Sequence, residues 1–319
     1  MNRGSGGAAL DVANGTIVFA AEQADAMFSK VTLALLDRSG AIHPLLDTLR
    51  AYNVAKVSPD GQKIVMSINA ANNDLWVYNI PKGVLTRITF GGGNHDWPFW
   101  SHDGRYIYYA AEKRGEVNLF RKPWDGSGDE ERLTTNPVSQ QPTCVTADGR
   151  GLIFQQEGDI WRLPLDSTGR PGGAPVPLLQ SPAAELNGQV SPDGRWLAYT
   201  SNESNKREVF VTSYPDHQGK WQISTSGSGG CLWSRDGKEL LFASGSTIMS
   251  VSVIPGPTFD FTPPKRVCDV PANAVPQDIN ADGTAFLVIV RQDLMSTIGE
   301  LEVVTNWDDL VQSKFTGAR

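Results

Sequence analysis

One short pattern recurs along the chain at nearly constant spacing: a small residue, any residue, Asp and Gly, with apolar runs on both sides. Neighbouring copies lie 43 to 46 residues apart, and a degenerate copy, Val12-Ala13-Asn14-Gly15, lies 46 residues before the first good one. A fixed period of this length indicates a repeat architecture, in which each unit buries its apolar face against its neighbours. The six good copies place their acidic residue at Asp60, Asp103, Asp148, Asp193, Asp236 and Asp282.

Each copy has the chemistry of a tight hairpin turn. In Ser58-Pro59-Asp60-Gly61, Pro presets φ, the Asp side chain accepts hydrogen bonds from nearby amides, and Gly takes the left-handed position. Because one turn repeated along the chain is not a set of catalytic sites, we interpret these aspartates as structural. This interpretation includes Asp103, although His102 precedes it.

Runs rich in β-branched and aromatic residues follow each turn, as at 63–68, 74–78 and 86–89 of the first good repeat. Four short antiparallel strands per repeat, arranged radially, form one blade of a β-propeller. The sequence therefore predicts an all-β fold made of four-stranded antiparallel blades. Seven copies of about 45 residues nearly fill the 319 residues, so seven blades is the first expectation and six is the alternative.

The composition fits a single closed domain of this kind. It is 40% hydrophobic with 32 Gly and 20 Pro, and no linker-like stretch divides it. We expect a flexible start over 1–7, one propeller domain over 8–307 and a C-terminal tail over 308–319. In the last repeat only three strands are evident, the third at 298–305, so we expect a three-stranded closing blade, as in a fragment of a longer protein.

Charge and cysteine content narrow the possible functions. The net charge is −7 and no basic stripe is present, which argues against nucleic acid as a partner. No apolar run is long enough to span a bilayer, and the first residues lack the apolar stretch of an export signal, so we expect no membrane insertion by this chain. The three cysteines have no metal-site or disulfide spacing and are interpreted as buried apolar residues: Cys144, Cys231 and Cys268.

The run from Ser191 to Ser204, which reads SPDGRWLAYTSNES, and the run from Trp233 to Leu240 resemble the TolB-type, WD-like propeller repeat. The resemblance covers 8–307. The closing segment from Leu301 to Trp307 is also similar to the ends of propellers fused behind bacterial Ser/Thr protein kinases. The family resemblance implies a binding domain that works outside the cytoplasm.

In a propeller the ligand usually binds at the mouth of the central channel, where loops enter the innermost strands. The ring of positions seven to eight residues before each turn Asp contains Tyr52 and Asn53, His95 and Asp96, Gln140 and Gln141, Glu185, Ser228 and Gly229, and Ala274 and Val275. From this ring and its neighbours we predict these ligand-binding residues: Tyr52, Asn53, Trp97, Gln140, Gln141, Glu185 and Asn187.

His95 and Asp96 are the most reactive-looking pair, since His titrates near neutral pH and ligates metals. With Glu185 and Asn187 they suggest a site for a hard cation such as calcium, which prefers oxygen ligands. The competing interpretation is structural: both residues cap their blade and bond to the next one. Trp97, Trp100, Trp196 and Trp233 are expected to fill wedges between blades, and Trp97 and Tyr52 alternatively line the mouth.

Two principal functions fit these features. The first is a non-catalytic sensor or scaffold that binds a protein, peptide or small molecule at the channel mouth and requires no cofactor. The second is a metal-assisted hydrolase of esters, lactones or phosphotriesters, with a calcium ion in the channel held by Asp96 and Glu185, and with His95 and Asp96 as catalytic residues. The sequence contains no nucleophile elbow, zincin motif or phosphate loop. A third possibility is the propeller domain of a peptidase or kinase that has been separated from its catalytic partner.

Overall fold

The computed structural model describes residues 9–13, 16–20, 31–69, 72–291 and 301–305. Across these ranges the regular structure is all strand. The predictions for 1–7 and 308–319 fall outside the described residues. In the same ranges, no helix has the length and apolar character that crossing a bilayer requires.

The repeated turns have the geometry that their sequence predicts. In the first good copy, Asp60 accepts hydrogen bonds from the Ser58 hydroxyl and the Gln62 amide, and the Gly61 amide donates to the Ser58 carbonyl at 2.9 Å. The six turn glycines have φ between +67° and +73°, where a side chain would be strained. The structural interpretation of the turn aspartates is confirmed.

The described strands form six successive four-stranded antiparallel blades. Blades 2 to 4 are separate four-stranded sheets, blade 5 carries a fifth strand, and blades 1 and 6 share one long strand in a seven-stranded sheet. Three strands come before blade 1 in the sequence: β1 (Ala9–Ala13), β2 (Thr16–Ala20) and β3 (Val31–Asp37). Blade 1 contains the second half of β4 (Ile42–Val57), β5 (Lys63–Asn69), β6 (Asp74–Asn79) and β7 (Val84–Arg87). Blade 2 contains β8 (His95–Trp100), β9 (Tyr106–Lys113), β10 (Glu116–Pro123) and β11 (Glu131–Arg132). Blade 3 contains β12 (Gln141–Val145), β13 (Gly151–Gln156), β14 (Asp159–Pro164) and β15 (Val176–Leu179).

The second half of the ring repeats this arrangement. Blade 4 contains β16 (Glu185–Val190), β17 (Trp196–Ser201), β18 (Glu208–Ser213) and β19 (Trp221–Gln222). Blade 5 contains β20 (Cys231–Trp233), β21 (Glu239–Ser244), β22 (Thr247–Ile254) and β24 (Lys265–Asp269), with β23 (Asp260–Phe261) paired to the far end of β22. Blade 6 begins with β25 (Ala274–Ile279) and β26 (Ala285–Arg291). The last described strand, β27 (Leu301–Thr305), lies outside blade 6.

Blade 6 is completed by strands from the start of the described chain. β26 pairs with β3, and β3 pairs with the first half of β4. The Val57 amide donates to Asp278 Oδ2 at 2.9 Å, which joins blade 1 to blade 6, and Arg38 pairs with Glu239 of blade 5 at 2.6 Å. Pairing the two ends in one sheet protects the edge that an open ring would expose. Among the described residues, six four-stranded blades therefore form the ring, which is the alternative count.

The expected three-stranded closing blade is also corrected, because the closing blade has four strands: β25, β26, β3 and the first half of β4. The expected third strand lies at Leu301–Thr305 but pairs with β2, which in turn pairs with β1. These three strands form a sheet of their own, and it contains the first half of the degenerate seventh repeat.

Apolar side chains fill the wedges between neighbouring blades. Trp100 and Trp233 are buried, and their indole N–H groups donate at 2.9 Å to main-chain carbonyls of the preceding blade, Lys56 and Gln189 respectively. Trp196 packs edge-on against Phe259 with ring centroids 5.2 Å apart. The packing role predicted for these three tryptophans is confirmed. All three cysteines are free and buried, as the sequence indicated.

Candidate functional site

The innermost strand of every blade borders a central channel. A cavity of about 440 Å³ opens within it, and residues from all six blades line its wall. Trp97 and Phe99 contribute aromatic surface. The wall also carries one ammonium group and five side-chain amides, on Lys56, Gln141, Gln155, Asn187, Gln189 and Gln277.

Irregular pairing shapes this wall. Five of the six innermost strands shift register against the next strand of their blade, and the shifted positions lie beside the channel. Two of the bulged residues, Trp97 and Asn187, have φ of 50° and 56°, a conformation that a bulky side chain rarely adopts. β-Bulges and strained residues of this kind concentrate at binding sites, where they redirect a side chain.

The amides of the wall are partly engaged with one another. Gln155 donates to Gln141 Oε1 at 2.7 Å and accepts from the Asn187 amide at 3.1 Å, while Gln189 donates to the Thr143 carbonyl. Among the described residues, the Gln141 side-chain NH₂ and the side-chain oxygens of Asn187 and Gln189 have no hydrogen-bond partner. One amide donor and two amide acceptors of the wall are thus left for a ligand.

The predicted ligand-binding residues divide into two groups. Trp97, Gln141 and Asn187 line the cavity, as do Gly229 and Val275 of the predicted ring. The others lie away from its wall, at the starts of the inner strands or in the strand pairs behind them: Tyr52, Asn53, Gln140, Glu185, Ser228 and Ala274. The same is true of His95 and Asp96.

Asp96 is held in a network that joins blades 1 and 2. Its carboxylate accepts from Asn53 Nδ2 at 2.8 Å, from the Ser67 hydroxyl at 2.6 Å and from the Trp97 amide at 2.8 Å. Because three donors surround the buried carboxylate, Asp96 fixes the bulge that turns Trp97 towards the channel.

His95 lies behind the channel wall and is fully buried. Its Nδ1 is 3.2 Å from the Asn73 carbonyl oxygen, and its Nε2 is 3.5 Å from Glu130 Oε2. Glu130 also pairs with Lys113 at 2.6 Å and accepts from the Tyr109 hydroxyl at 3.0 Å. The geometry matches the structural interpretation of His95, which stabilises a junction between blades.

Tyr52 and Gln140 are equally enclosed. The Tyr52 hydroxyl donates to the Thr48 carbonyl at 2.9 Å, and burial raises the pKa of Tyr52 to about 12. Gln140 lies between Thr134 and Gln156, and its side-chain NH₂ donates to Gln156 Oε1 at 2.9 Å. The polar groups of both side chains are thus engaged in hydrogen bonds within the blades.

Glu185 begins β16 at the junction of blades 3 and 4 and is buried. One carboxylate oxygen accepts from the Ser181 hydroxyl, and the other has no hydrogen-bond partner. Burial raises the pKa of this carboxyl group, and the Ser181 hydrogen bond opposes the rise only in part.

The donor set does not fit the calcium site suggested by Asp96 and Glu185. Asp96 uses both carboxylate oxygens on donors of blades 1 and 2, whereas Glu185 bonds to Ser181 two blades further on. Within the described ranges, no three His, Cys, Asp or Glu side chains are grouped so that they would hold a metal ion. Calcium requires six to eight oxygen ligands, so these two carboxylates do not form such a site.

Sequence reasoning missed the deeper wall residues Lys56, Phe99, Gln189 and Gln277. Lys56, Phe99 and Gln189 each lie four residues before their turn Asp, and Gln277 lies five before. The alternation of side chains along a β-strand could have identified them, since residues two apart face the same side of the strand. Reading only the seventh and eighth positions sampled the strand starts instead.

Six four-stranded blades arranged around such a channel define a β-propeller. Residues 29–163 match the family model described as the TolB beta propeller domain. An uncharacterised protein of Agrobacterium fabrum is 29% identical over 141 residues, which are 44% of this chain and 48% of that protein. The match therefore spans about half the length of this relative.

Solved structures show the same fold. A TolB candidate from Agrobacterium tumefaciens superimposes with a TM-score of 0.64 at 14% identity, over 83% of this chain and 99% of the other. TolB from Acinetobacter baumannii gives 0.57 at 15% identity, over 87% and 65%. An oligogalacturonate lyase in complex with manganese gives 0.54 at 16% identity, over 88% and 82%. At these identities the likeness concerns the fold alone: the chain is a β-propeller, and its residues 29–163 match the TolB propeller model.

Proposed function

We propose that this chain is a non-catalytic binding propeller that holds a protein, peptide or small-molecule ligand in its central channel. The ligand would occupy the cavity of about 440 Å³ described above, which we call the upper cavity. The observation that supports the proposal most directly is the cavity to which all six blades contribute. Its size falls in the range of ligand pockets, and its wall combines apolar surface with a few polar groups, which is the usual composition of such sites.

Two further features favour binding of an extended segment. Side-chain amides match the alternating donors and acceptors of a peptide, and Gln141 and Gln189 each keep one of these groups unpaired within the described chain. The Trp97 ring offers a rigid surface for an apolar side chain. Trp97 and Asn187 keep strained backbone conformations at this wall, a cost that a purely structural strand avoids.

Selection from a displayed peptide library tests the proposal. Peptides that bind the unaltered protein are measured against Trp97→Ala, which removes the ring from the channel, and against Phe90→Ala, the matched control. Phe90 is 61% exposed and absent from the channel wall. We expect at least a tenfold loss of affinity for Trp97→Ala and none for Phe90→Ala. Equal binding to all three proteins, or failure to select any peptide, contradicts the peptide-binding proposal.

The second candidate, hydrolysis assisted by a metal ion, takes its support from a fold neighbour, the lyase in complex with manganese. It would have to recruit residues other than the Asp96 and Glu185 pair, whose side chains do not form a common metal site. Hydrolysis of an ester and lactone panel, measured with and without added calcium and manganese, tests it directly. Turnover that requires an added metal ion would favour this function over simple binding, and absence of metal-dependent turnover would contradict it.

By similarity to TolB-type propellers we also propose that the protein works outside the cytoplasm. Fractionation of the source cells, with an antibody against this chain, tests the location. Recovery with cytoplasmic markers alone would contradict it.

A further inference from the structure

The upper cavity of the channel contains a single charged side chain among the residues that form its wall. That side chain is Lys56, on the innermost strand of blade 1. Its ammonium group donates to the Gln277 carbonyl of blade 6 at 2.7 Å and lies 5.2 Å from the Phe99 ring centroid of blade 2. The charge thus lies between three blades, beside the channel space.

This charge is poorly compensated by the protein. An ammonium group has three donors, and Lys56 has one protein acceptor in the described structure. No described carboxylate lies within 4 Å of it. Asp278 is already engaged: its Oδ2 accepts from the Val57 amide at 2.9 Å and faces Arg235 at 3.7 Å.

Lys56 is half-buried, and enclosing an incompletely paired ammonium group in the channel wall is unfavourable. Burial lowers the pKa of Lys56, and the attraction of Asp278 opposes that shift only in part. An anionic ligand would supply the missing partner and restore the charged form. The attraction is local, because the chain as a whole has a net charge of −7 and repels anions from a distance.

We infer that the upper cavity binds a ligand through a carboxylate, which forms an ion pair with Lys56. The inference rests on the proposed binding function of the channel and specifies the ligand class. The carboxylate accepts hydrogen bonds from Lys56 Nζ, while the body of the ligand packs against Trp97 and Phe99. A cavity of about 440 Å³ admits a small organic acid or the acidic end of a peptide.

Glutarate is a suitable probe, and glutaramide is its uncharged counterpart of similar size. Binding is measured by calorimetric or NMR titration of the full chain. We expect glutarate to bind at least ten times more tightly than glutaramide. Lys56→Met should remove at least tenfold of the glutarate affinity. Lys238→Met should leave it unchanged, because the Lys238 side chain is 80% exposed on a turn outside the cavity.

A second measurement uses the unaltered protein, so that it does not depend on folding of the Lys56 variant. The protein is treated briefly with acetic anhydride, and acetylation of each lysine is quantified by mass spectrometry. Saturating glutarate should slow acetylation of Lys56 at least fivefold and leave Lys238 unaffected. Absence of saturable glutarate binding, equal affinity for glutaramide, or no protection of Lys56 would each overturn the inference.

Two sources of the carboxylate are separated by peptides from the library selection. A peptide that loses at least tenfold affinity on C-terminal amidation binds through its chain end, and one that loses it on Asp→Asn or Glu→Gln exchange binds through a side chain. Peptides that need Trp97 but bind Lys56→Met normally would uphold the proposed function and overturn this inference. Glutarate binding without any selected peptide would support the inference for small acids and contradict the peptide-binding proposal.

Discussion

Two acidic residues near junctions between blades, Glu130 and Glu185, have different surroundings. In blade 2, Glu130 lies beside His95, the residue that contacts Asn73 of blade 1, and pairs with Lys113 at 2.6 Å. At the junction of blades 3 and 4, Glu185 is buried beside Ser181, with one carboxylate oxygen unpaired. Within the described structure, no cationic group lies within 4 Å of Glu185.

The difference appears in the acidity of the two groups. The neighbouring His95 ring, followed by the Lys113 ion pair, lowers the pKa of Glu130 to about 2 despite partial burial. Burial raises the pKa of Glu185 instead. The ionised carboxylate of Glu130 therefore stabilises the fold, whereas ionisation of Glu185 destabilises it. The partners of each acidic residue therefore set its role: Glu130 has cationic and hydroxyl partners, whereas Glu185 has Ser181 alone within the described structure.

The largest effect is expected for Asp96→Ala at the junction of blades 1 and 2. The change leaves the Asn53, Ser67 and Trp97 donors without their shared acceptor in a buried place. We expect the free energy of unfolding to fall by about 3 kcal/mol, measured by urea denaturation. Asp129→Ala, at an exposed position, is the control and should change it by less than about 0.5 kcal/mol. Equal effects of the two changes would show that the junction network is not stabilising.

Glu130→Gln tests the charge beside His95. Since the folded pKa of about 2 lies below the usual value of 4.5, the carboxylate stabilises the fold above about pH 4.5, and this contribution disappears as the pH falls towards 2. At pH 7 we expect a loss of about 1 kcal/mol, because Glu130 is partly exposed. Unfolding curves should converge with those of the unaltered protein at low pH. A constant difference at all pH values would contradict the electrostatic explanation.

Glu185→Gln should act in the opposite direction. The folded pKa of Glu185 is raised, so ionisation favours the unfolded chain, and stability from this group falls as the pH rises above the usual value of 4.5. The variant should be the more stable protein at pH 7, by roughly 0.5 to 1 kcal/mol, and the gain should disappear near pH 4. A variant that is less stable at pH 7 would indicate a partner that stabilises the ionised carboxylate.

The scaffold was largely predictable from sequence, because the turn signal is local: Ser, Asp and Gly of each copy bond within a few residues. The blade count was not, since β26 pairs with β3 some 250 residues away and no local pattern reports that pairing. The site lies deeper than the predicted ring of residues, because register shifts interrupt the regular alternation of the inner strands. His95 and Asp96 join blades, whereas Lys56, four residues before its turn Asp, lines the channel.

Asn187→Gly sharpens the comparison within one strand, because Asn187 lies two residues after Glu185 but lines the cavity. Asn187 has φ of 56°, which Gly adopts without strain, and within the described chain its only side-chain hydrogen bond is a long one of 3.4 Å to Thr200. We expect the free energy of unfolding to change by no more than about 0.5 kcal/mol, since relief of strain offsets the greater freedom of Gly in the unfolded chain. Peptides selected on the unaltered protein should nevertheless bind less tightly. A stability loss as large as that of Asp96→Ala, with binding unchanged, would place Asn187 among the residues that join blades instead of those that face a ligand.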